Sequence, residues 1–112
     1  MGTLTYVGVD YPFDDRTLAH LKVAITAKLR RGESFLLSWT APAEEGSGRV
    51  SLWMSPSLPL IYRFTDPDAI ELSRTWLEAL AASAQQVQGM TVMDEAEAGA
   101  LRRRPPVPAA RH

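Results

Sequence analysis

The chain has 112 residues, a formal net charge of -1 and no cysteine. That length suits one independently folding domain whose core needs no disulfide or metal staple. The missing cysteine excludes thiolate catalysis, disulfides and cysteine-ligated zinc, and it fits a reducing cytoplasm. The N-terminus lacks a basic-then-apolar leader and no apolar run approaches the ~20 residues of a membrane span, so a soluble, non-exported cytoplasmic protein is expected.

Residues 3–7 alternate polar and apolar side chains as a half-buried strand does, and residues 9–13 return as its hairpin partner through Gly8. A helix follows at about 15–31. Asp14 is its N-cap, and Phe13 pairs with Leu18 as a hydrophobic staple. Leu18, Leu21, Ile25 and Leu29 recur at helical spacing and form one apolar stripe. Lys28, Arg30 and Arg31 favour the negative end of the helix dipole, and Gly32 supplies the left-handed stop.

In residues 34–40, Phe35, Leu37 and Trp39 share one face of a strand, with Ser34, Ser38 and Thr40 opposite. Residues 41–48 hold proline, two glutamates, glycine and serine, and read as a mobile hairpin loop before a strand at 49–54. Trp53 alternates there with Val50, Leu52 and Met54, which places it on the wetter face. Pro56 and Pro59 bracket a short extended crossing into a strand at 60–64.

Asp66 and Pro67 have the chemistry of an N-cap and first turn of a second helix. Its apolar stripe is Ile70, Leu77, Leu80, Ala84 and Val87, with Trp76 at the margin. Gly89 stops it, and 91–93 forms a last short strand. From Asp94 the chain turns to alanine, acids, arginine and proline without apolar periodicity, the composition of a disordered tail. The expectation is therefore an α+β domain over residues 1–93, followed by a tail over 94–112. It has an antiparallel or mixed sheet of about five to six strands and two amphipathic helices, in the order β-β-α-β-β-β-α-β. The helices cover one face and leave a serine- and threonine-rich face wet.

Chemistry-bearing patterns are sparse. His20 is the only histidine before His112, so no histidine-rich metal site can form, and at about 200° around the helix from Leu18 it points to solvent. The pairs Asp14 with Asp15, Glu44 with Glu45 and Asp66 with Asp68 read as caps and loop solvation. No G-x-S-x-G elbow, phosphate-binding loop or dinucleotide glycine pattern occurs. No catalytic, metal-binding or cofactor-binding residue is assigned, and enzymatic activity is not expected.

What remains is surface. Lys28, Arg30 and Arg31 form a basic set at the end of the first helix, while Arg49, Trp53 and Arg63 form a second candidate patch on the wetter sheet face, where a base or a partner side chain could stack. In the tail, Arg102, Pro105 and Pro108 have the R-x-x-P-x-x-P spacing of polyproline ligands. Residues 102–111 carry Arg102, Arg103, Arg104 and Arg111 with no acid; with those four cations set aside the net charge of -1 becomes -5. A body of that sign repels phosphate backbones, which favours a protein partner over nucleic acid. No membrane partner is expected. An unpaired edge strand could self-associate, but the sequence does not fix an oligomeric state.

The stretches Asp14-Asp15-Arg16-Thr17-Leu18-Ala19-His20-Leu21, Lys28-Leu29-Arg30-Arg31-Gly32-Glu33-Ser34-Phe35, and Trp53 with Pro56-Ser57-Leu58-Pro59-Leu60 resemble a family of short uncharacterised proteins from high-GC bacteria. The likeness runs over residues 2–92. Some members carry the automatic name ATP-dependent DNA ligase. A ligase of that kind forms a lysyl adenylate on K-x-D-G, yet Lys22 precedes Val23-Ala24-Ile25 and Lys28 precedes Leu29-Arg30-Arg31. The resemblance thus implies a small stand-alone domain, a non-catalytic interaction or accessory module, without ligase activity. Ser55 departs from a pattern in which histidine often precedes the proline.

Overall fold

The computed structural model describes residues 1–41 and 48–103. Strands β1 (Gly2–Tyr6) and β2 (Val9–Phe13) form an antiparallel hairpin, and β5 (Leu60–Arg63) pairs with the other side of β1. Strands β3 (Phe35–Ala41) and β4 (Gly48–Met54) form a second antiparallel hairpin, against which the two-residue β6 (Met90–Thr91) pairs parallel to β3. Helices α1 (Asp15–Arg30), α2 (Arg74–Ser83) and α3 (Glu95–Arg103) complete the order. The strands make two three-stranded sheets, β2-β1-β5 and β4-β3-β6, where the sequence suggested one larger sheet.

The β1–β2 turn shows what the hairpin demands of its residues. Tyr6 faces Val9, leaving a two-residue loop of Val7 and Gly8 at φ 51° and 81°. Both values belong to the primed turn whose twist matches a hairpin and which favours Asn-Gly. A β-branched valine there is strained by an amount on the order of 1–3 kcal/mol. Val7→Asn is expected to stabilise the protein by about 1 kcal/mol in chemical denaturation; an unchanged or lowered midpoint would show that Val7 carries no recoverable strain.

Helix α1 starts and stops as its sequence directs. Asp14 Oδ1 accepts the Thr17 N–H at 2.7 Å and Oδ2 the Thr17 hydroxyl at 2.9 Å. At the other end, Glu33 N–H donates to Lys28 O and Gly32 N–H to Leu29 O, the paired bonds of a Schellman motif with Gly32 at φ 74°. The apolar contact that usually closes such a motif is replaced by an ion pair, Lys28 Nζ to Glu33 Oε1 at 3.1 Å.

The second helix begins later than its sequence suggests. Residues 64–73 are irregular, and Ser73, not Asp66, caps α2 by accepting the Trp76 N–H. Asp66 does accept the Asp68 N–H in an Asx turn, but the amides of Thr65 and Asp66 are taken by the Asp15 carboxylate at 3.2 and 2.8 Å. This tether to α1 holds the segment out of a helix. α2 also ends at Ser83, so Val87 lies beyond the predicted stripe and is 96% exposed, while Trp76, expected at the margin, is 2% exposed.

The Asp66 amide bond holds the Asp15 carboxyl below its ordinary value of 3.8. A depressed carboxylate stabilises the fold above its unfolded value and loses that effect as pH falls through the folded one. Asp15→Asn is therefore expected to be less stable than the native chain at neutral pH, with the difference shrinking to nothing as pH falls below about 3.8. A pH-independent difference in denaturation midpoint would contradict this origin.

Two further expectations are corrected. Pro56 and Pro59 do not bracket an extended crossing: Leu58 N–H donates to Ser55 O, so residues 55–58 make a β-turn with proline at its second position. Residues 95–103, expected in an unstructured tail, form α3. Asp94 and Glu97 cap it reciprocally, Asp94 N–H to Glu97 Oε1 at 2.9 Å and Glu97 N–H to Asp94 Oδ1 at 2.8 Å, and Ala98 is fully buried. Residues 42–47, expected to form a loop, and the prolines 105 and 108 of the expected polyproline motif lie outside the described residues.

One core joins these elements. Leu4, Tyr6 and Phe13 of the first sheet, Leu37, Met54 and Met90 of the second, Leu18, Leu21 and Ile25 of α1, and Trp76 and Leu80 of α2 share it. Trp39 bridges the sheets, meeting Tyr11 and Phe13 edge-on at centroid distances of 5.4 and 5.1 Å.

Candidate functional site

The period of two along β4 decides where its functional candidates go. Val50 and Leu52 are half-buried and Met54 is fully buried, so Arg49, Ser51 and Trp53 stand on the opposite, outer face. Across the ladder they face Thr40, Ser38 and Leu36, and Thr91 of β6 stands beside Ser38. Trp53 is 59% exposed.

The backbone under this indole is fixed. The buried Tyr6 donates its hydroxyl to the Trp53 carbonyl at 2.5 Å and accepts the Ser55 N–H at 3.0 Å. Next to it, the Ser38 and Ser51 hydroxyls bond at 2.9 Å, and Ser38 also donates to the Gln88 carbonyl at 3.0 Å. A large amphipathic side chain is thus presented on a rigid base, which lowers the entropy lost when something packs against it. An open concavity is lined by Ser38, Thr40, Arg49 and Ser51 of this face together with Asp14, Asp94 and Glu97, so basic and acidic side chains both border it.

The other candidates do not gather here. Arg63 lies on β5 in the other sheet, where it faces Thr3, so the set Arg49, Trp53 and Arg63 is divided between two sheets. Lys28 and Arg31 both hold Glu33, at 3.1 and 3.2 Å. The Lys28 bond, then the Arg31 bond, lowers the Glu33 carboxyl below its usual value of 4.5. These two cations therefore finish a helix, while Arg30 is exposed beside them.

His20 is the largest departure from the sequence reading. Expected on the surface, it is fully buried. Nδ1 donates to the Arg16 carbonyl at 2.7 Å, Nε2 accepts the Ser73 N–H at 2.8 Å, and the ring stacks on Trp76 at 4.0 Å. A carbonyl can only accept and an amide can only donate, so the tautomer with the proton on Nδ1 is fixed. Arg16 lies over the Trp76 ring at 5.8 Å and pairs with Glu95 at 2.8 Å. This cluster clamps α1 to α2 and α3 with both imidazole nitrogens occupied. It presents no free base.

The Tyr62 hydroxyl is buried without a partner in hydrogen-bonding geometry among the described residues, and burial raises the phenol above 10.0 against the opposing Thr26 side chain. Among the described residues no group of three His, Asp or Glu side chains is placed to hold a metal ion. No described helix is long and apolar enough to cross a membrane.

Fold and surface together define a small α+β module of two three-stranded sheets and three helices, with a rigidly mounted tryptophan on one outer sheet face. The chain belongs to the family described as domain of unknown function DUF7882, whose model matches residues 1–95. No curated protein and no solved structure matches it.

Proposed function

We propose that this chain is a non-catalytic cytoplasmic interaction module that docks a protein partner on the outer face of β3 and β4. Trp53 serves as the anchor and Arg49 as the flanking contact. The observation that carries this reading is the exposed Trp53 indole on a backbone pinned by buried Tyr6. Tryptophan and arginine are the residues most enriched at energetic centres of protein interfaces. The presence of both Arg49 and the acids Asp14, Asp94 and Glu97 around the concavity suits a partner surface of mixed sign better than a uniform polyanion.

Co-purification with tagged native chain, Trp53→Ala and the α2 surface variant Thr75→Ala tests it. A partner recovered with the native chain and with Thr75→Ala, but lost with Trp53→Ala, is expected. Equal recovery by all three would overturn the assignment.

A second reading, an accessory role beside DNA, takes support from Trp53 as a stacking platform with Arg49 nearby, and from the ligase-type name carried by resembling proteins. It predicts single-stranded DNA binding that falls steeply with salt and is lost in Trp53→Ala. Fluorescence anisotropy at low and physiological salt separates the two: salt-insensitive absence of binding leaves only the protein partner.

A further inference from the structure

Exposed apolar side chains gather at one end of the first sheet. Val7 forms and Val9 follows the β1–β2 turn, Ile61 of β5 lies opposite Thr5, and Leu58 closes the 55–58 turn; each is between 41 and 53% exposed. Backbone contacts hold them together. The Val7 N–H donates to the carbonyl of Pro59, next in the chain to Leu58, at 3.3 Å, and Tyr6 is paired with Val9 on one side and Leu60 on the other. The Tyr6 hydroxyl, bonded to the Trp53 carbonyl and the Ser55 N–H, joins this end to the Trp53 end of β4.

The same end is without charge. Residues 4–9 and 50–62 contain no acidic, basic or histidine residue, and exposed Arg49 and Arg63 stand immediately outside the second run. Asp10, next after Val9, accepts the Thr5 hydroxyl at 2.6 Å. Grouped apolar side chains with a polar border mark a contact site, whereas scattered ones do not. Backbone strain points the same way. Val7 sits at φ 51°, in a turn that asparagine would occupy more easily, and strain of this kind collects at contact and ligand sites.

We infer that this uncharged end is the second half of the docking surface proposed above, and that the partner meets it with an apolar side-chain cluster bordered by carboxylates. The inference rests on the Trp53 reading. Val7 and Val9 receive the partner's apolar groups, while Arg49 and Arg63 pair with the acids on either side. Arg49 lies four residues from Trp53 along β4 and Arg63 three from Leu60 along β5. A strand advances about 10–13 Å over three to four residues, so the two cations flank the tip and do not cover it. Two cations on a chain of net charge -1 are too few to hold an anionic lipid surface, which makes a protein the occupant.

The partner recovered in the Trp53-dependent co-purification supplies the test, with Val7→Asn, Val9→Thr and Thr75→Ala compared at equal concentration. Val7→Asn is expected to raise the unfolding midpoint and yet to lower recovery of that partner at least tenfold, a combination that a purely structural valine would not give. Val9→Thr is expected to lower recovery at least threefold, and Thr75→Ala not at all. A partner kept at the native level by both valine variants, or lost only in step with stability, would overturn this inference and leave the Trp53 reading standing; no Trp53-dependent partner would overturn both. Flotation with vesicles of phosphatidylethanolamine and phosphatidylglycerol, and sedimentation velocity of the purified chain, probe the other occupants. Vesicle binding or self-association that Val7→Asn abolishes would overturn the inference in favour of a lipid surface or a second copy.

Discussion

His20→Ala is expected to destabilise the protein by about 4 kcal/mol, the largest loss anticipated for any polar side chain here. Truncating a buried aromatic ring costs about 3–5 kcal/mol through lost contacts and the cavity left behind, and His20 is fully buried against Trp76 at 4.0 Å. The Ser73 N–H at the start of α2 would also lose its acceptor, a penalty of roughly 1–3 kcal/mol that overlaps the first. For a chain of this length the combined effect lowers the thermal midpoint by about 15 °C. His20→Leu keeps most of the volume but still orphans the amide, so it should cost roughly 2 kcal/mol. Thermal and urea unfolding of the three proteins check the ranking; a His20→Ala midpoint within about 4 °C of native, roughly a 1 kcal/mol effect, would mean the ring is not the clamp between α1 and α2.

The same residue shows where the sequence was legible and where it was not. The core stripe of α1 was readable because Leu18, Leu21 and Ile25 repeat at helical spacing, and all three are fully buried. His20 escaped because α1 buries a second side. Thr17, His20 and Ala24 face away from the leucine stripe and are buried as well, which a reading built on one apolar face cannot anticipate. The spacing of Thr17, His20 and Ala24 at i, i+3 and i+7 was the available signal. The α3 start was also written in the chain, as the Asp94-x-x-Glu97 capping box, but an alanine-rich run with little apolar periodicity masked it. The start of α2 was not readable locally: Asp66 has capping chemistry, and only the long-range bonds from Asp15 and His20 move the helix to Arg74.

The surface was partly legible in the same sense. Alternation along residues 49–54 placed Trp53 outward, where it is found. Grouping Arg63 with it required knowing that the strands form two sheets and not one, a fact of topology that no local pattern carries. The basic end of α1 was visible, whereas its capture by Glu33 through a Schellman turn emerges only once Gly32 folds the chain back.

Gly89→Ala should be nearly as damaging as His20→Ala, at about 3 kcal/mol or more. Gly89 sits at φ 83°, where a side chain is strained by about 1–2 kcal/mol. A methyl there would also meet the Leu36 carbonyl oxygen and stand 2.5 Å from Leu36 Cβ and 2.8 Å from its carbonyl carbon. The obstruction is mostly β3 backbone, which cannot rotate aside, so β6 would have to leave its place beside β3. Gly8 supplies the control. It has φ 81° but nothing within 4 Å of an added Cβ, so Gly8→Ala carries the backbone strain alone, about 1 kcal/mol. Urea denaturation should rank Gly89→Ala well below Gly8→Ala; equal midpoints would show that the close approach to Leu36 is relieved without cost.

The most direct test of the Trp53 face as the contact surface is photocrosslinking in living cells. A benzoylphenylalanine placed at Thr40, on the outer face beside Arg49, is compared with one placed at Thr75 on the exposed side of α2. A discrete crosslinked product from position 40, absent from position 75 and lost when Trp53→Ala is added, is the predicted result. Products that are the same from both positions, or that persist without Trp53, would contradict the assignment of this face.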